Sequence, residues 1–142
     1  MALLMLEHKI PYVATASLAY PGDLYDKVMK AKSIPGMKYI EIFAPCYTAW
    51  GFPISDTVDL SRDAIESGAW LMWEAVDGKI SFSKPTDDII SGKKEKKPLN
   101  EYLNKQIRFQ KTLKEEGGDE RLKEIQEELD NEIAFMVKRA EI

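Results

Sequence analysis

Residues 10–46 have the sequence IPYVATASLAYPGDLYDKVMKAKSIPGMKYIEIFAPC, which contains two strand-like segments around one helix-like segment. Residues 10–17 and 38–44 are rich in the β-branched and aromatic residues that favour strands. Between them, apolar residues recur at helical spacing after Asp23, and Pro35-Gly36 is a typical helix stop. A strand, a helix of about 15 residues and a second strand form the pattern of a right-handed βαβ crossover. The two strands are therefore predicted to be parallel.

Cys46 follows the second predicted strand directly, within the segment APCYTAWGFP of residues 44–53. Two prolines and a glycine in this segment favour a loop. Ligands of open α/β sheets bind beyond the carboxyl ends of parallel strands, where this loop would lie. A lone cysteine is nonetheless most often a small buried apolar side chain. Because a cubane iron-sulfur cluster needs four thiolates, Cys46 could be a ligand only if the other three came from outside the chain.

The rest of the chain predicts one more helix on the sheet, a hairpin and a helical C-terminal region. Ser55 or Asp56 is suited to cap the first of these helices, and Asp77-Gly78 favours a type I′ hairpin turn. The polar residues 85–98 predict a loop, and the apolar spacing from Leu99 to Leu113 predicts one amphipathic helix. A last helix is expected from about Asp119, with an apolar stripe that must pack on something: Leu122, Ile125, Leu129, Ile133, Met136 and Ala140.

Composition excludes several classes of function. The chain has 142 residues, is 31% charged and carries a net charge of −4, so it offers no broad basic surface for nucleic acid. Its one basic cluster, residues 93–97, has the composition of a solvated loop. No apolar run approaches the ~20 residues that span a bilayer, so no membrane association is predicted. A single cysteine fits a reducing compartment, which makes the cytoplasm the expected location.

The sequence does not contain a self-sufficient set of catalytic residues. It has no glycine-rich dinucleotide motif, no phosphate loop, no pair of histidines for zinc and no nucleophile elbow. The only histidine, His8, stands among charged residues near the N-terminus, where an exposed or helix-end position is the simplest interpretation. We therefore predict no catalytic residue within this chain.

Several segments resemble the beta subunits of the 2-oxoacid:ferredoxin oxidoreductases, the family of the pyruvate synthases and the branched-chain enzymes. Residues 10–17, followed by Ala19-Tyr20-Pro21 and Asp23-Leu24, resemble the region after the thiamine-binding core. The resemblance extends to at least Leu113 and keeps the order of these further matches: Tyr39-Ile40, Ala44-Pro45-Cys46, Trp50-Gly51-Phe52, Ala64-Ile65, Gly68, Trp70, residues 97–103, Gln106, Arg108 and Phe109.

The resemblance implies an α/β fold that is the C-terminal part of a thiamine-diphosphate-binding domain, with parallel strands, one β-hairpin and C-terminal helices. Residues 1–84 would belong to that domain, residues 85–98 would form a polar loop and residues 99–142 a helical extension. The implied function is oxidative decarboxylation of a 2-oxoacid to acyl-CoA, with electrons passed to ferredoxin. The isolated chain would not be active. Leu3, Leu4 and Leu6 resemble the end of a helix that packs on a core outside the chain.

In this family, the cysteine of the matching loop is a ligand of a 4Fe-4S cluster, and Cys46 occupies its place. The resemblance therefore implies that Cys46 is a metal-binding and cofactor-binding residue, with three further cysteines upstream in the beta subunit. Thr48 and Trp50 match the motif. Tyr47 and Ala49 depart from it, because the family usually has Pro and Gly at these places.

Further cofactors and partners are implied only for the complete enzyme. Thiamine diphosphate and magnesium would be bound through a Gly-Asp-Gly motif that this chain lacks, since Val76-Asp77-Gly78 belongs to the predicted hairpin. The partners would be the remaining beta-subunit region and the other oxidoreductase subunits, together with ferredoxin, a 2-oxoacid and coenzyme A. Two alternatives remain open: the branched-chain 2-oxoacid enzyme, and a noncatalytic assembly module in which Cys46 is merely buried.

Overall fold

The computed structural model describes residues 1–141, and its elements follow the predicted alternation of strands and helices before the chain becomes helical. In chain order they are α1 (Ala2–Glu7), β1 (Tyr12–Ser17), α2 (Pro21–Ser33), β2 (Lys38–Phe43), α3 (Tyr47–Trp50), a 3₁₀ turn (Ile54–Asp56), α4 (Thr57–Glu66), β3 (Trp73–Val76), β4 (Lys79–Phe82), α5 (Lys84–Ile90), α6 (Leu99–Asn104), α7 (Ile107–Lys114) and α8 (Gly118–Ala140).

The four strands form one mixed sheet in the order β2-β1-β3-β4. β1 and β2 are parallel, in a register that runs from Tyr12 opposite Lys38 to Ser17 opposite Phe43. β3 is antiparallel to both β1 and β4. The predicted α/β class, the parallel pair and the hairpin are thus confirmed. Asp77 and Gly78 have φ angles of 48° and 86°, the positive values that a type I′ turn requires.

Helices cover both faces of the sheet, and β1 lies at its centre with all six residues buried. Because successive strand residues point to opposite faces, Tyr12 and Ala14 pack with Ala31 of α2, while Val13 packs on the other side. That other side is covered by α1 and α8, which explains why α1 is apolar. Leu6 of α1 is buried there, against the chain's own sheet. The expectation that α1 packs on a core outside the chain is therefore wrong for Leu6, while Leu4 of the same helix stays 52% exposed.

The apolar stripe of α8 packs on two clusters, as its spacing predicts. Its C-terminal part meets the sheet, where Met136 is buried among Ala2, Leu6 and Trp73. Its N-terminal part packs against a second cluster that is centred on Leu60 of α4 and Leu99 of α6, and it contributes Leu122, Ile125 and Leu129. One long helix therefore joins the sheet to the small helices that precede it.

Two segments differ from the sequence prediction. The single helix expected from Leu99 to Leu113 is wrong, because it is interrupted between α6 and α7, where Gln106 is extended with φ −113° and ψ 119°. The buried side-chain amide of Gln106 donates to the Tyr102 carbonyl at 3.1 Å, and the Ile107 N–H donates to the Gly51 carbonyl at 3.2 Å. These contacts outweigh the helical propensity of the segment.

The second difference lies in the expected polar loop of residues 85–98, whose first part is helix α5. Pro85 occupies the first turn, where its missing N–H costs no hydrogen bond. The Thr86 hydroxyl is buried and accepts the Met72 N–H at 2.8 Å, which holds α5 to the end of the sheet. The division of the chain at residues 84 and 99 stays a prediction.

The lysine-rich segment after α5 is held to α4 by ion pairs. Lys94 contacts Glu66 at 2.6 Å, and Lys97 contacts Glu66 at 2.7 Å and Asp63 at 3.0 Å. Both lysines remain more than a third exposed, so each pair contributes little stability in water. The pairs nevertheless fix the path of a segment that composition alone describes as a solvated loop.

Glu66→Gln is expected to reduce the loss of stability in acid. Burial acts to raise the pKa of Glu66, but the hydrogen bonds from Lys94 and Lys97 outweigh it and hold the pKa below its usual 4.5. The stabilisation is therefore fully present above pH 4.5 and is lost as the pH falls through the lower folded-state pKa. Urea unfolding should show that Glu66→Gln is less stable than the wild type at neutral pH, by less than about 1 kcal/mol in the free energy of unfolding. The difference between the two proteins should shrink as the pH is lowered.

The control for this experiment is Asp87→Asn, since Asp87 meets Lys93 only at 3.5 Å in an exposed pair. Its free energy of unfolding at neutral pH should lie within about 0.5 kcal/mol of the wild-type value. If the free energy of unfolding fell equally in acid for the wild type and Glu66→Gln, the assignment of this pH dependence to Glu66 would be contradicted.

No helix within residues 1–141 is both long and apolar enough to cross a membrane.

Candidate functional site

Cys46 lies just beyond the carboxyl end of the parallel strand pair. β1 ends at Ser17 and β2 at Phe43, and these two residues are partners in the register. Cys46 follows three residues later, at the start of α3, and its thiol is free and exposed. The predicted placement of the loop is confirmed. The expectation that a lone cysteine is a buried packing residue is wrong for this chain, because Cys46 is exposed and the neighbouring Pro45 is buried instead.

The loop that carries Cys46 is a single helical turn instead of an irregular segment. The Trp50 N–H donates to the Cys46 carbonyl at 2.9 Å, and the Tyr47 carbonyl accepts the N–H groups of Gly51 and Phe52 at 3.0 and 3.2 Å. Gly51 ends the turn in the left-handed region, with φ 68°. A Cβ at this position would lie 2.8 Å from Cβ of Ile107, so the close approach of α7 also requires glycine here.

An aromatic cluster lies next to this turn. The Phe43 ring centroid is 5.9 Å from Trp50 and 5.1 Å from Trp70, and Trp50 is 6.4 Å from Phe52. Tilted rings at these separations attract one another beyond their burial of area. The cluster joins the end of β2, the turn and the segment after α4. It therefore fixes the turn to the sheet.

Arg108 of α7 completes the outer side of the cluster. Its guanidinium carbon lies 3.8 Å from the Trp50 ring centroid and 4.6 Å from that of Phe109. Its Nε donates to Oε1 of Gln106 at 2.9 Å. Sequence analysis found Trp50, Gln106, Arg108 and Phe109 only as matches to a family pattern. No spacing rule brings residues 50 and 108 together, so their contact was not predicted.

The available donor set fits one ligand of a shared cluster and no complete metal site. Within residues 1–141, no three His, Cys, Asp or Glu side chains are arranged to hold a metal ion. His8 is exposed and follows the last residue of α1, as its sequence context predicts. Cys46 presents one thiol sulfur, the donor that iron-sulfur clusters use, and a cubane needs three more.

A buried polar cluster lies between α2 and the sheet, and its hydrogen bonds show that it stabilises the fold. Lys27 is buried, and its ammonium donates to the Thr15 carbonyl at 2.7 Å, to Asp23 at 2.8 Å and to the Ser83 hydroxyl at 2.6 Å. Burial lowers the pKa of Lys27, while Asp23 opposes that shift. Three acceptors use all three donors of the ammonium group, so no proton is directed at a substrate.

One cavity lies between the sheet and helices α1 and α8, and it is smaller than an ordinary ligand pocket. It has a volume of about 140 Å³ and is lined in part by Leu3, Thr15, Glu41, Trp70 and Met136. Ligand pockets usually measure roughly 300 to 1,000 Å³. This cavity therefore does not enclose a ligand of ordinary size, and none of its lining residues belongs to the turn that carries Cys46.

Comparison with known proteins places these features in a family. No family model matches the sequence. The subunit PorB of pyruvate synthase from Methanothermobacter marburgensis is 44% identical over 117 residues, which cover 82% of this chain and 38% of the relative. Subunit VorB of the Pyrococcus abyssi ketoisovalerate oxidoreductase is 40% identical over 113 residues, covering 80% of this chain and 35% of the relative. The beta subunit of the NADH-dependent phenylglyoxylate dehydrogenase from Aromatoleum evansii is 40% identical over 111 residues, covering 75% and 23%.

These similarities place the chain, with its mixed sheet and covering helices, in the class of oxidoreductase subunits. The chain belongs to the family of 2-oxoacid:ferredoxin oxidoreductase beta subunits and corresponds to their C-terminal part. It spans less than half the length of the relatives it matches, 38% for the M. marburgensis subunit and 35% for the P. abyssi subunit.

Proposed function

We propose that this chain forms the C-terminal portion of the beta subunit of a pyruvate:ferredoxin oxidoreductase and contributes one ligand to its 4Fe-4S cluster. The enzyme would oxidatively decarboxylate a 2-oxoacid to acyl-CoA and pass the electrons to ferredoxin. The exposed thiol of Cys46, beyond the carboxyl end of a parallel strand pair, carries the proposal. The pyruvate synthase subunits among the relatives support pyruvate as the substrate.

Cys46 would hold the cluster through its thiolate, together with three cysteines from an upstream part of the beta subunit. Such a cluster accepts and releases single electrons when bound. The contribution of this chain is to fix the sulfur in place. The hydrogen bond from Trp50 to the Cys46 carbonyl and the left-handed Gly51 set the path of the turn, and the ring of Phe43 holds it against the sheet.

Thiamine diphosphate and magnesium would be bound by the part of the enzyme outside this chain, because the residues present do not fit either group. The chain has no Gly-Asp-Gly motif, and Val76-Asp77-Gly78 belongs to the hairpin between β3 and β4. Coenzyme A, ferredoxin and the 2-oxoacid would be partners of the complete enzyme, as would its other subunits. The isolated chain would be inactive.

The surface around Cys46 supports assembly with another polypeptide. Residues 42–55 contain no charged residue in a chain that is 31% charged. Exposed apolar patches of this kind mark interaction sites. We call the exposed part of residues 42–55 the cysteine face, and its exposed large apolar residues are Ile42, Tyr47 and Ile54.

The double variant Tyr47→Lys/Ile54→Lys is expected to prevent assembly. The two side chains are 48% and 66% exposed, so the substitutions leave the fold intact but place two charges in the proposed interface. We expect binding to weaken by at least about tenfold. The chain would be produced anaerobically with the rest of M. marburgensis pyruvate synthase, namely the unmatched part of PorB and the other subunits. The measurement is the amount of chain that copurifies.

Met37→Lys is the matched control for that variant. Met37 is 64% exposed but precedes β2, at the opposite end of the strand from Cys46. Its copurification should equal that of the wild type. Equal losses for both variants, or a double variant that still copurifies, would contradict assembly through the cysteine face.

Two alternatives have specific support. The VorB relatives, 38 to 40% identical, favour a branched-chain 2-oxoacid, which turnover of pyruvate and ketoisovalerate by the assembled complex would separate. The departures at Tyr47 and Ala49 favour a noncatalytic assembly module. Such a module would copurify with the other subunits, but its Cys46 would bind no iron.

A further inference from the structure

Arg108 is an exposed side chain held in one orientation by contacts on three sides. Its guanidinium stacks on Trp50 at 3.8 Å and on Phe109 at 4.6 Å. Its Nε donates to the Gln106 side chain, which is itself completely buried. An unrestrained surface arginine would sample many rotamers in water. The three contacts therefore select the rotamer that covers Trp50.

Arg108 is connected to the backbone of Cys46 by a short series of contacts. The buried Gln106 amide is fixed by its donation to the Tyr102 carbonyl in α6. Arg108 links Gln106 to the Trp50 ring, and the Trp50 N–H donates to the Cys46 carbonyl. The adjacent bond from the Ile107 N–H to the Gly51 carbonyl holds the same turn from the other side. The start of α7 thus restrains the cysteine turn.

We infer that Arg108 is a positioning residue for the Cys46 thiolate, acting through Trp50. The inference deepens the proposed function and rests on it, since positioning matters for catalysis only if Cys46 holds the cluster. The guanidinium is suited to this role because its planar face stacks on an aromatic ring while its Nε stays free for a hydrogen bond. The ammonium group of a lysine could make the cation–π contact, but it could not also make the Nε hydrogen bond in this geometry.

Hydrogen exchange in the metal-free, full 142-residue chain tests the restraint directly. Arg108→Met should raise exchange of the Trp50, Gly51 and Phe52 amides by about three- to tenfold, because these amides close the turn. Amides of β1 should keep their wild-type rates. Arg108→Lys should recover part of the protection. Arg62→Met is the control, since Arg62 is an exposed arginine of α4 that pairs with Asp59 at 3.3 Å.

Iron release from the assembled complex to a chelator provides the second readout. Arg108→Met should shorten the half-time of release by about threefold or more, in line with its exchange rates, while Arg62→Met should not. Unchanged exchange at residues 50–52, an equal rise throughout β1, or an unchanged rate of release would each overturn the positioning role. If Cys46→Ser keeps its iron while Arg108→Met loosens the turn, the cluster assignment fails but the restraint of the turn stands.

Discussion

Cys46→Ser is expected to remove the cluster that the assembled complex would otherwise contain at this site. A serine hydroxyl is a much poorer ligand than a thiolate, and no second cysteine exists in the chain to replace it. Iron and acid-labile sulfide should fall by about four atoms each per complex, the content of one cubane. Reduction of ferredoxin by the complex should fall with them. The substitution is nearly isosteric and exposed, so folding and copurification should be unchanged.

Ala49→Ser is the matched control in the same turn. Ala49 is exposed, three residues from Cys46 and at a position that departs from the family motif, and the substitution introduces a hydroxyl without removing the thiol. Its iron and sulfide content should equal that of the wild type. A full cluster in Cys46→Ser would remove Cys46 from the ligand set and leave the assembly module as the better account of this chain.

Met136→Ala is expected to lower the free energy of unfolding by about 2 to 5 kcal/mol. Met136 is 1% exposed and lies where α8 meets α1 and the sheet, so truncation leaves a cavity among Leu6, Val13 and Trp73. Loss of this contact weakens the attachment of the longest helix to the sheet. Chemical denaturation of the purified chain, followed by circular dichroism, measures the change.

The neighbouring residue on the same helix provides the control. Phe135 is 52% exposed, and Phe135→Ala should change stability by no more than about 0.5 kcal/mol. Comparable losses for the two variants would mean that α8 is not docked through the predicted stripe. A loss of stability confined to Met136→Ala would show that α8 packs on the sheet through the face that carries Met136.

The sheet was predictable because its signals are local. The β1-α2-β2 unit follows from strand composition on either side of a helix with a proline-glycine stop, and the hairpin follows from Asp77-Gly78. The stripe of α8 follows from helical spacing, although the spacing could not say which surface it meets. Periodicity identifies the face of an element that is buried, and tertiary structure decides against what.

The features that escaped prediction depend on contacts between distant parts of the chain. The break before Ile107 arises from its bond to Gly51, and the Arg108 contact with Trp50 joins residues 58 positions apart. The exposure of Cys46 contradicts the usual behaviour of a lone cysteine, which is to be buried. The role proposed for Cys46 rests on the resemblance of its loop to a family motif.

The position of β2 at one edge of the sheet exposes the chain to aggregation through strand pairing. β2 is a six-residue parallel strand with a hydrogen-bonded neighbour on one side only, and it carries apolar residues such as Ile40 and Ile42. Its outer backbone groups can recruit any extended segment, including the same strand of another newly synthesised copy. Within residues 1–141 this edge is open to such pairing, and covering it would suppress edge-to-edge aggregation.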